Sequence, residues 1–134
     1  MLTQGPIEDK LAIRELVESY NDAVMRFDAE AWGANWADDA TWSLPGTTAV
    51  KGRDNIVEAW LQAMANFSFV GFFASAGPIT VSGNEAQGTW YQQEFLHQKD
   101  GGKVAITGRY ADSYVKIDGR WLFQSRDYTI LNAE

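Results

Sequence analysis

Apolar positions in the first part of the chain recur with the spacing of an α-helix. Over residues 7–27 they fall three and four apart, and Pro6 suits the first turn of the helix that this spacing predicts. Asp28 can cap a short second helix over residues 29–36, which residues 38–39 bring to an end. The amino-terminal part is therefore predicted to be helical.

A third amphipathic stretch lies near the middle of the chain. Residues 53–67 place Ile56, Trp60 and Met64 in one row, the apolar stripe expected of a helix that lies on a sheet. A polar loop that starts at residues 45–46 precedes it. Shorter apolar runs around this helix predict extended segments over residues 40–44, 69–75 and 79–82.

The last third of the chain alternates its side-chain types with the period of a β-strand. This alternation predicts strands over residues 88–98, 103–117 and 120–131, joined by tight turns at residues 99–102 and 118–119. Helices followed by an antiparallel meander predict an α+β fold, with all 134 residues in a single domain.

One of the two faces that alternation defines carries charged groups among apolar neighbours. Glu94, Tyr110, Asp112 and Arg126 share this face. Unpaired burial of a charge is costly, so these groups need partners or water, and a concave ligand pocket under the helices would supply both. The other members of the face are Trp90, Gln92, Leu96, Val104, Ile106, Gly108, Tyr114, Leu122, Gln124, Tyr128 and Ile130.

The opposite face is too apolar to be left in water. It is predicted to carry Tyr91, Phe95, Arg109, Trp121 and Phe123. Large exposed apolar patches mark interaction sites, so we expect the sheet to pack in a homodimer or homotrimer.

Composition narrows the range of functions. The net charge is −7 and the 11 basic residues are scattered, which argues against a nucleic-acid partner. The chain has no cysteine, one histidine and no glycine-rich fingerprint, so we expect no metal and no cofactor. No segment resembles a signal peptide or reaches the length of a membrane span, so we expect a cytoplasmic protein without a membrane partner. Aromatic residues form 13% of the chain, which suits a pocket for a hydrophobic small molecule.

Five segments, taken in order, resemble a known family. They are Tyr20-Asn21-Asp22-Ala23, residues 36–42, Lys51-Gly52, residues 108–114 and residues 118–123. On these segments the chain resembles the SnoaL-like branch of the nuclear transport factor 2-like superfamily, over nearly its whole length. The resemblance implies a cone-shaped, curved antiparallel sheet around a pocket that amino-terminal helices cover. The superfamily includes dehydratases, a dehydrochlorinase, polyketide cyclases, isomerases, carbon–carbon lyases and non-catalytic binding proteins.

The chain departs from two enzyme types of this superfamily at one pair of positions. Scytalone dehydratase and hexachlorocyclohexane dehydrochlorinase pair an aspartate late in the first helix with a histidine on the strand after the third helix. Here the aspartate position falls on Met25 and the histidine position falls within residues 71–73, so this pair is absent. The pocket positions of the dehydrochlorinase would fall on Tyr20, Asn21, Val24, Gln92, Glu94, Ile106, Gly108, Tyr110, Arg126 and Ile130.

Glu94 is the first candidate for a general acid or base. Trp90 and Leu96 would desolvate it and raise its pKa towards neutrality. The alternative is a structural ion pair with Arg126, which would keep the carboxylate ionised and favour a base over an acid. Arg126 could instead hold an anionic oxygen of a substrate.

The remaining candidates would bind and orient the substrate. Tyr110 and Tyr20 offer hydroxyl groups to substrate oxygens, with simple packing as the alternative, and Asn21 offers an amide. Asp112 is a second acid or base, or it pairs with a surface Lys or Arg near a strand end. His97 is expected to be exposed or at an oligomer contact. The pocket wall, or the core, is expected to include Val24, Trp42, Trp60, Phe72, Phe73, Gln92, Ile106 and Ile130.

These residues support two hypotheses about function. In the first, the chain is a cofactor-independent lyase or dehydratase, and Glu94 moves a proton on a hydrophobic, ring-containing substrate while a carbon–oxygen or carbon–carbon bond breaks. An isomerase or polyketide cyclase would use the same groups. In the second, the chain is a non-catalytic domain that binds a hydrophobic ligand or serves as an accessory subunit, which the missing aspartate and histidine favour.

Overall fold

The structure is a computed structural model and describes residues 5–134. Within this range the helices are α1 (Ile7–Arg26), α2 (Ala29–Gly33) and α3 (Arg53–Met64). The strands are β1 (Trp36–Ser43), β2 (Val50–Lys51), β3 (Phe67–Ser82), β4 (Glu85–Gln98), β5 (Lys103–Ile117) and β6 (Arg120–Ala133). None of these helices combines the length and the apolar character needed to cross a membrane.

The strands form one curved, unclosed sheet in the order β2-β1-β6-β5-β4-β3. β1 runs parallel to β6, and the other neighbouring strands are antiparallel. α1 packs against β3 and β6, and α3 packs against β1, so both long helices cover one side of the sheet, called here the inner face. The predicted α+β architecture is confirmed.

α1 shows how the amino-terminal pattern produces this packing. Its buried residues lie on one side and pack towards the inner face, namely Ile13, Leu16, Val17, Tyr20, Ala23 and Val24. Phe27 ends the helix in the left-handed region, at φ 53°, and its backbone N–H donates to the Val24 carbonyl at 3.1 Å. The Asp28 side chain then accepts from the Ala31 N–H at 3.0 Å, which is the predicted cap of α2.

α2 is shorter than predicted, because Trp36 belongs to the sheet. The helix ends at Gly33, and Trp36 starts β1 opposite Phe123 of β6. The Phe123 N–H donates to the Asn35 carbonyl at 2.8 Å, and the Arg53 guanidinium donates to the Trp36 carbonyl at 2.6 and 2.9 Å. These long-range hydrogen bonds hold residues 35–36 at the start of β1. They outweigh the local preference for helix that the spacing of Trp32 and Trp36 indicates. The short strand β2, predicted as loop, pairs with β1.

β3 is one long strand where the sequence predicted two segments. It pairs with β4 along almost its whole length, and a register shift between Ala76 and Ile79 takes up the interruption. Pro78 lies inside that shift, where its missing N–H removes no ladder hydrogen bond. α3 correspondingly ends at Met64, before the predicted position 67.

A β-bulge on β6 reverses the predicted faces of its first residues. Ser113 pairs with Ser125, but the next residue, Tyr114, pairs with Phe123, so Gln124 is an extra residue in β6. The assignment of Trp121 and Phe123 to the outer face is therefore wrong. Both are buried on the inner side: Phe123 packs on Tyr20 and Trp36, and the Trp121 indole N–H donates to Asp9 of α1 at 2.9 Å.

The outer face keeps part of the predicted aromatic patch. Tyr91 and Phe95 of β4 are exposed, and β3 adds Phe69 and Phe73 beside them. The Phe73 and Phe95 rings meet edge to face with centroids 6.3 Å apart. Self-association through this face as a homodimer or homotrimer stays a prediction.

Candidate active site

A largely apolar cavity of about 260 Å³ lies between the inner face and the helices. Its wall is mostly aliphatic and aromatic, and Trp42 and Trp60 form part of it. Trp60 stacks on the buried Trp32 with ring centroids 4.6 Å apart and an interplanar angle of 10°. The lining residues are Tyr20, Val24, Trp42, Leu44, Pro45, Trp60, Ala63, Met64, Phe67, Val70, Phe72, Glu94, Leu96, Ile106, Tyr110 and Tyr128.

Glu94 is the one carboxylate in this lining. β4 holds it between Phe72 of β3 and Ile106 of β5, which are its partners across the sheet. The Gln92 side-chain amide donates a hydrogen bond to Oε1 of Glu94. Burial raises the pKa of Glu94, and the nearby polar groups of Tyr128 and Gln92 offset only part of that rise. Glu94 is therefore a candidate for proton transfer.

Tyr110 and Tyr20 present hydroxyl groups to the same cavity. The Trp42 indole N–H donates to the Tyr110 hydroxyl oxygen at 3.1 Å. Because that oxygen accepts from Trp42, the Tyr110 proton is left to be donated elsewhere. Burial raises the pKa of Tyr110 and of Tyr20, so both groups stay protonated and act as hydrogen-bond donors.

Tyr128 is a fourth polar group in the lining, and it was not among the predicted site residues. Its side chain is buried, and its hydroxyl has no hydrogen-bond partner among the described residues. Burial and then the negative charge of Glu94, which lines the same cavity, raise the pKa of Tyr128. The sequence did place Tyr128 on the inner face, two residues after Arg126, and this position could have identified it as a site residue.

Arg126 pairs with Asp112, not with Glu94. Its Nε donates to Asp112 Oδ1 at 2.8 Å and its Nη2 donates to Oδ2 at 3.1 Å, in the bidentate geometry that arginine favours. The Tyr114 hydroxyl also donates to Oδ2, at 2.8 Å, and the Trp90 indole N–H donates to the Tyr114 hydroxyl at 3.0 Å. The expectation that Asp112 pairs near the surface is wrong, because both partners are buried.

The guanidinium of Arg126 lies behind the cavity wall, against the rings of its tyrosines. Its Cζ is 3.7 Å from the ring centroid of Tyr110 and 4.6 Å from that of Tyr20, with Phe123 at 4.4 Å. Burial alone would lower the pKa of Arg126, but the Asp112 carboxylate together with Tyr20 and Tyr110 outweighs it, and the net direction is upward. A permanent cation thus supports the two rings by cation–π contact without lining the cavity.

The structure brings some predicted site residues to the cavity and keeps others away. Val24, Trp42, Trp60, Phe72 and Ile106 line it together with Glu94, Tyr110 and Tyr20. Outside the lining are Asn21, Gln92, Asp112, Arg126 and Ile130.

The residues outside the lining have different surroundings. Gln92 reaches the site through its hydrogen bond to Glu94. Asn21 keeps its amide oxygen buried without a partner among the described residues. Ile130 lies near the end of β6, two residues after Tyr128, and is 45% exposed. Phe73 is exposed on the outer face.

The positions expected to hold the aspartate and histidine pair are adjacent in the structure. The Phe72 backbone N–H donates to the Met25 sulfur at 3.3 Å. Phe72 lines the cavity with an apolar ring, within the segment 71–73 where the resemblance would place a histidine. His97 lies on the other side of the molecule, packed on Phe69 with ring centroids 5.2 Å apart. Across residues 5–134, no three side chains of the metal-binding types cluster closely enough to hold an ion.

The chain belongs to the SnoaL-like domain family, whose sequence model matches residues 6–127. This match confirms the resemblance seen in the sequence. No curated protein sequence matches the chain at a significant level.

Solved structures share the fold over almost the whole chain. A type 2 hexachlorocyclohexane dehydrochlorinase superimposes with a TM-score of 0.86, at 16% identity, over 96% of this chain and 88% of that one. A protein of Novosphingobium aromaticivorans DSM 12444, provisionally described as a scytalone dehydratase, gives 0.85 at 20% identity, over 96% and 87%. A second Novosphingobium aromaticivorans protein, provisionally described as an aromatic ring hydroxylase, gives 0.90 at 27% identity, over 98% and 95%. The first two likenesses establish the cone-shaped fold alone.

Proposed function

We propose that the protein is a cofactor-independent lyase of the dehydratase type, in which Glu94 accepts a proton from a hydrophobic, ring-containing substrate. One observation carries this proposal: a single carboxylate lines a largely apolar cavity and has no counter-charge in that lining. Such a group is costly to keep in a binding site unless it takes part in proton transfer. The dehydratase and dehydrochlorinase descriptions of proteins with the same fold agree with this reaction class.

The chemistry requires a base, a group that receives charge and a route for the leaving group. Glu94 removes a proton from carbon, and the electron pair of that C–H bond moves into a new double bond. The leaving oxygen departs with the electrons of its own bond and takes a proton, and water is released. The proton that Glu94 has accepted can be given to this leaving oxygen. Glu94 then acts first as the base and afterwards as the acid, and it ends the reaction ionised, as it began.

Negative charge that develops on the substrate meets hydroxyl donors. Tyr110 and Tyr20 both line the cavity and stay protonated, because burial raises the pKa of each. Fixed donors aimed at developing charge stabilise a transition state more than a ground state. Arg126 has no direct role in this scheme, because its guanidinium is bound to Asp112 behind the two rings.

The cavity also limits the size and charge of the substrate. A cavity of about 150 Å³ accommodates benzene, so a volume of about 260 Å³ suits one substituted ring or two fused rings. An anionic substrate would be repelled by Glu94, and no Lys or Arg lines the cavity within the described residues. We therefore expect a neutral molecule with a hydroxyl or carbonyl group.

The decisive experiment compares the wild type with Glu94→Gln on a panel of neutral hydroxylated one-ring and two-ring compounds. Loss of water or of a carbon fragment is followed by mass spectrometry, and binding is measured by calorimetry. The variant is expected to bind the substrate and to turn it over about 10²–10⁴ times more slowly, because a general base is removed.

The matched control is Gln93→Ala, since Gln93 is the neighbour of Glu94 on β4 and its side chain points to the other side of the sheet. This variant should keep the wild-type rate. Equal turnover by the wild type and Glu94→Gln would refute the assignment of Glu94.

A second function, binding without catalysis, rests on the contact between Met25 and Phe72. These residues fill the place of the expected aspartate and histidine with groups that transfer no proton. In that case the panel would yield ligands that bind with no product, and Glu94→Gln would change affinity alone.

A further inference from the structure

Tyr128 occupies the space that a side chain at position 108 would need. A methyl group added to Gly108 would overlap the Tyr128 ring and its hydroxyl oxygen. The ring also packs on Tyr110, with centroids 4.8 Å apart. The absence of a side chain at Gly108 therefore allows Tyr128 to lie flat across β5.

The sheet register shows what the hydroxyl of Tyr128 faces. Gly108 pairs directly with Gln92, and Glu94 is the next residue on the same face of β4. A side chain at position 108 would thus be the direct neighbour of Gln92 and a diagonal neighbour of Glu94. Because the Tyr128 hydroxyl stands in that place, it faces the hydrogen-bonded pair of Gln92 and Glu94.

Both this hydroxyl and the carboxylate have unused hydrogen-bonding capacity. The buried Tyr128 hydroxyl has no partner among the described residues, and a buried unpaired donor is costly. An ionised carboxylate can accept about four hydrogen bonds, and within residues 5–134 only Gln92 donates to Glu94. A hydrogen bond between them would satisfy the hydroxyl and use one of the free acceptor positions of the carboxylate.

We propose that Tyr128 is a positioning residue for Glu94: its hydroxyl donates a hydrogen bond to the ionised carboxylate, and Gly108 is required because any side chain there would displace Tyr128. Only the catalytic benefit of this hydrogen bond rests on the proposed function, because Tyr128 would orient the base Glu94. The contact itself can be tested without a substrate.

Few other ionisable groups face Glu94. α1 contributes Tyr20, β5 contributes Tyr110, and β6 contributes Tyr128 itself. Arg126 lies behind the tyrosine rings and is neutralised by Asp112. The residues that β1, β3 and α3 contribute to the lining are not ionisable. The protonation of Glu94 thus depends mainly on burial and on the donors that reach it.

The test is a pH titration of the Glu94 carboxyl carbon by NMR in the ligand-free protein, for the wild type and Tyr128→Phe. A hydrogen bond to a carboxylate stabilises its charged form, so its removal raises the pKa. We expect the midpoint of Glu94 to move upward by about one pH unit, as for the loss of one hydrogen bond to a charged group. The control is Tyr91→Phe, because Tyr91 is exposed on the outer face of the same strand and should leave the midpoint unchanged.

Gly108→Ala should raise the midpoint of Glu94 in the same direction, because the methyl group displaces Tyr128. In the Tyr128→Ala background the same change should add nothing, since neither the ring nor the hydroxyl is left to displace. If Gly108→Ala does not fold, a second change of Tyr128 to Ala removes the overlapping ring. Recovered folding then supports the steric role of Gly108, and continued failure refutes it.

An unchanged or lower Glu94 midpoint in Tyr128→Phe would overturn the proposal, whether or not the enzyme assignment holds. Conversely, a raised midpoint in a protein that turns nothing over would support the contact and refute the proposed function. The two failures are therefore distinguishable.

Discussion

Two carboxylates on the inner face, the buried Asp112 and the partly buried Glu94, have opposite surroundings. Asp112 accepts hydrogen bonds from Nε and Nη2 of Arg126 and a further one from the Tyr114 hydroxyl. Glu94, on the neighbouring strand, receives one amide hydrogen bond and otherwise faces the cavity. Burial raises the pKa of both groups, but only Asp112 has a cation against it. A fully satisfied carboxylate holds the fold together, whereas a sparsely satisfied one beside a cavity is free to exchange a proton.

The same carboxylate-to-amide change at both positions should separate the two roles. Asp112→Asn leaves the buried Arg126 charge without its counter-ion, and breaking a buried ion pair costs about 3–5 kcal/mol. We expect the free energy of unfolding to fall by that order, as measured by urea denaturation. A loss below 1 kcal/mol would mean that Arg126 finds another partner and that the contrast with Glu94 is smaller than the structure indicates.

Glu94→Gln should act in the opposite direction. The pKa of Glu94 is raised in the folded state, so its contribution to stability is complete below the unfolded pKa, near 4.5, and is lost as the pH rises through the folded pKa. Glutamine does not ionise, so the variant should become more stable than the wild type as the pH rises and should match it at low pH. Denaturation curves across this pH range would show the growing difference, and a variant less stable at neutral pH would contradict it.

The outer face should give the smallest effect on stability. Phe95 follows Glu94 on β4 but is 39% exposed, and Phe73 beside it is 57% exposed. Changing both to serine should alter the unfolding free energy of one subunit by no more than about 0.5 kcal/mol per site. The expected result is a change in association: the wild type sediments as a dimer or trimer, and the double variant as a monomer. A monomeric wild type would rule out the predicted interface.

Most of the fold could be predicted from the sequence, because period two and period 3.6 are local signals. β5 coincides with its predicted bounds. The errors lie where distant residues decide: Trp36 joins the sheet through Phe123, and an extra residue at Gln124 turns Trp121 and Phe123 inward. A bulge leaves no mark in an alternating pattern of mostly large apolar residues, so the alternation that is right for Arg126 and Tyr128 gives the wrong face for the residues before the bulge.

The sequence predicted which residues share the inner face, but it did not predict which of them pair with one another. Alternation placed Glu94, Tyr110, Asp112 and Arg126 on one face, and the structure keeps them there. It could not decide which carboxylate Arg126 would bind, because that depends on the partner across the β5–β6 ladder, where Asp112 lies directly opposite Arg126. The position of the Tyr128 ring depends on the missing side chain of Gly108. These residues lie on different strands, so their contact could not be predicted before the sheet register was known.

The stacked indoles at the cavity wall have a spectroscopic consequence. Trp42 and Trp60 line the cavity, and Trp32 connects them to Trp36 in one cluster. Excited states are shared readily between rings this close, so a ring compound that enters the cavity should quench or shift the emission of the whole cluster at once. The protein therefore carries its own optical reporter of occupancy, and unlabelled compounds can be screened against it before any reaction is known.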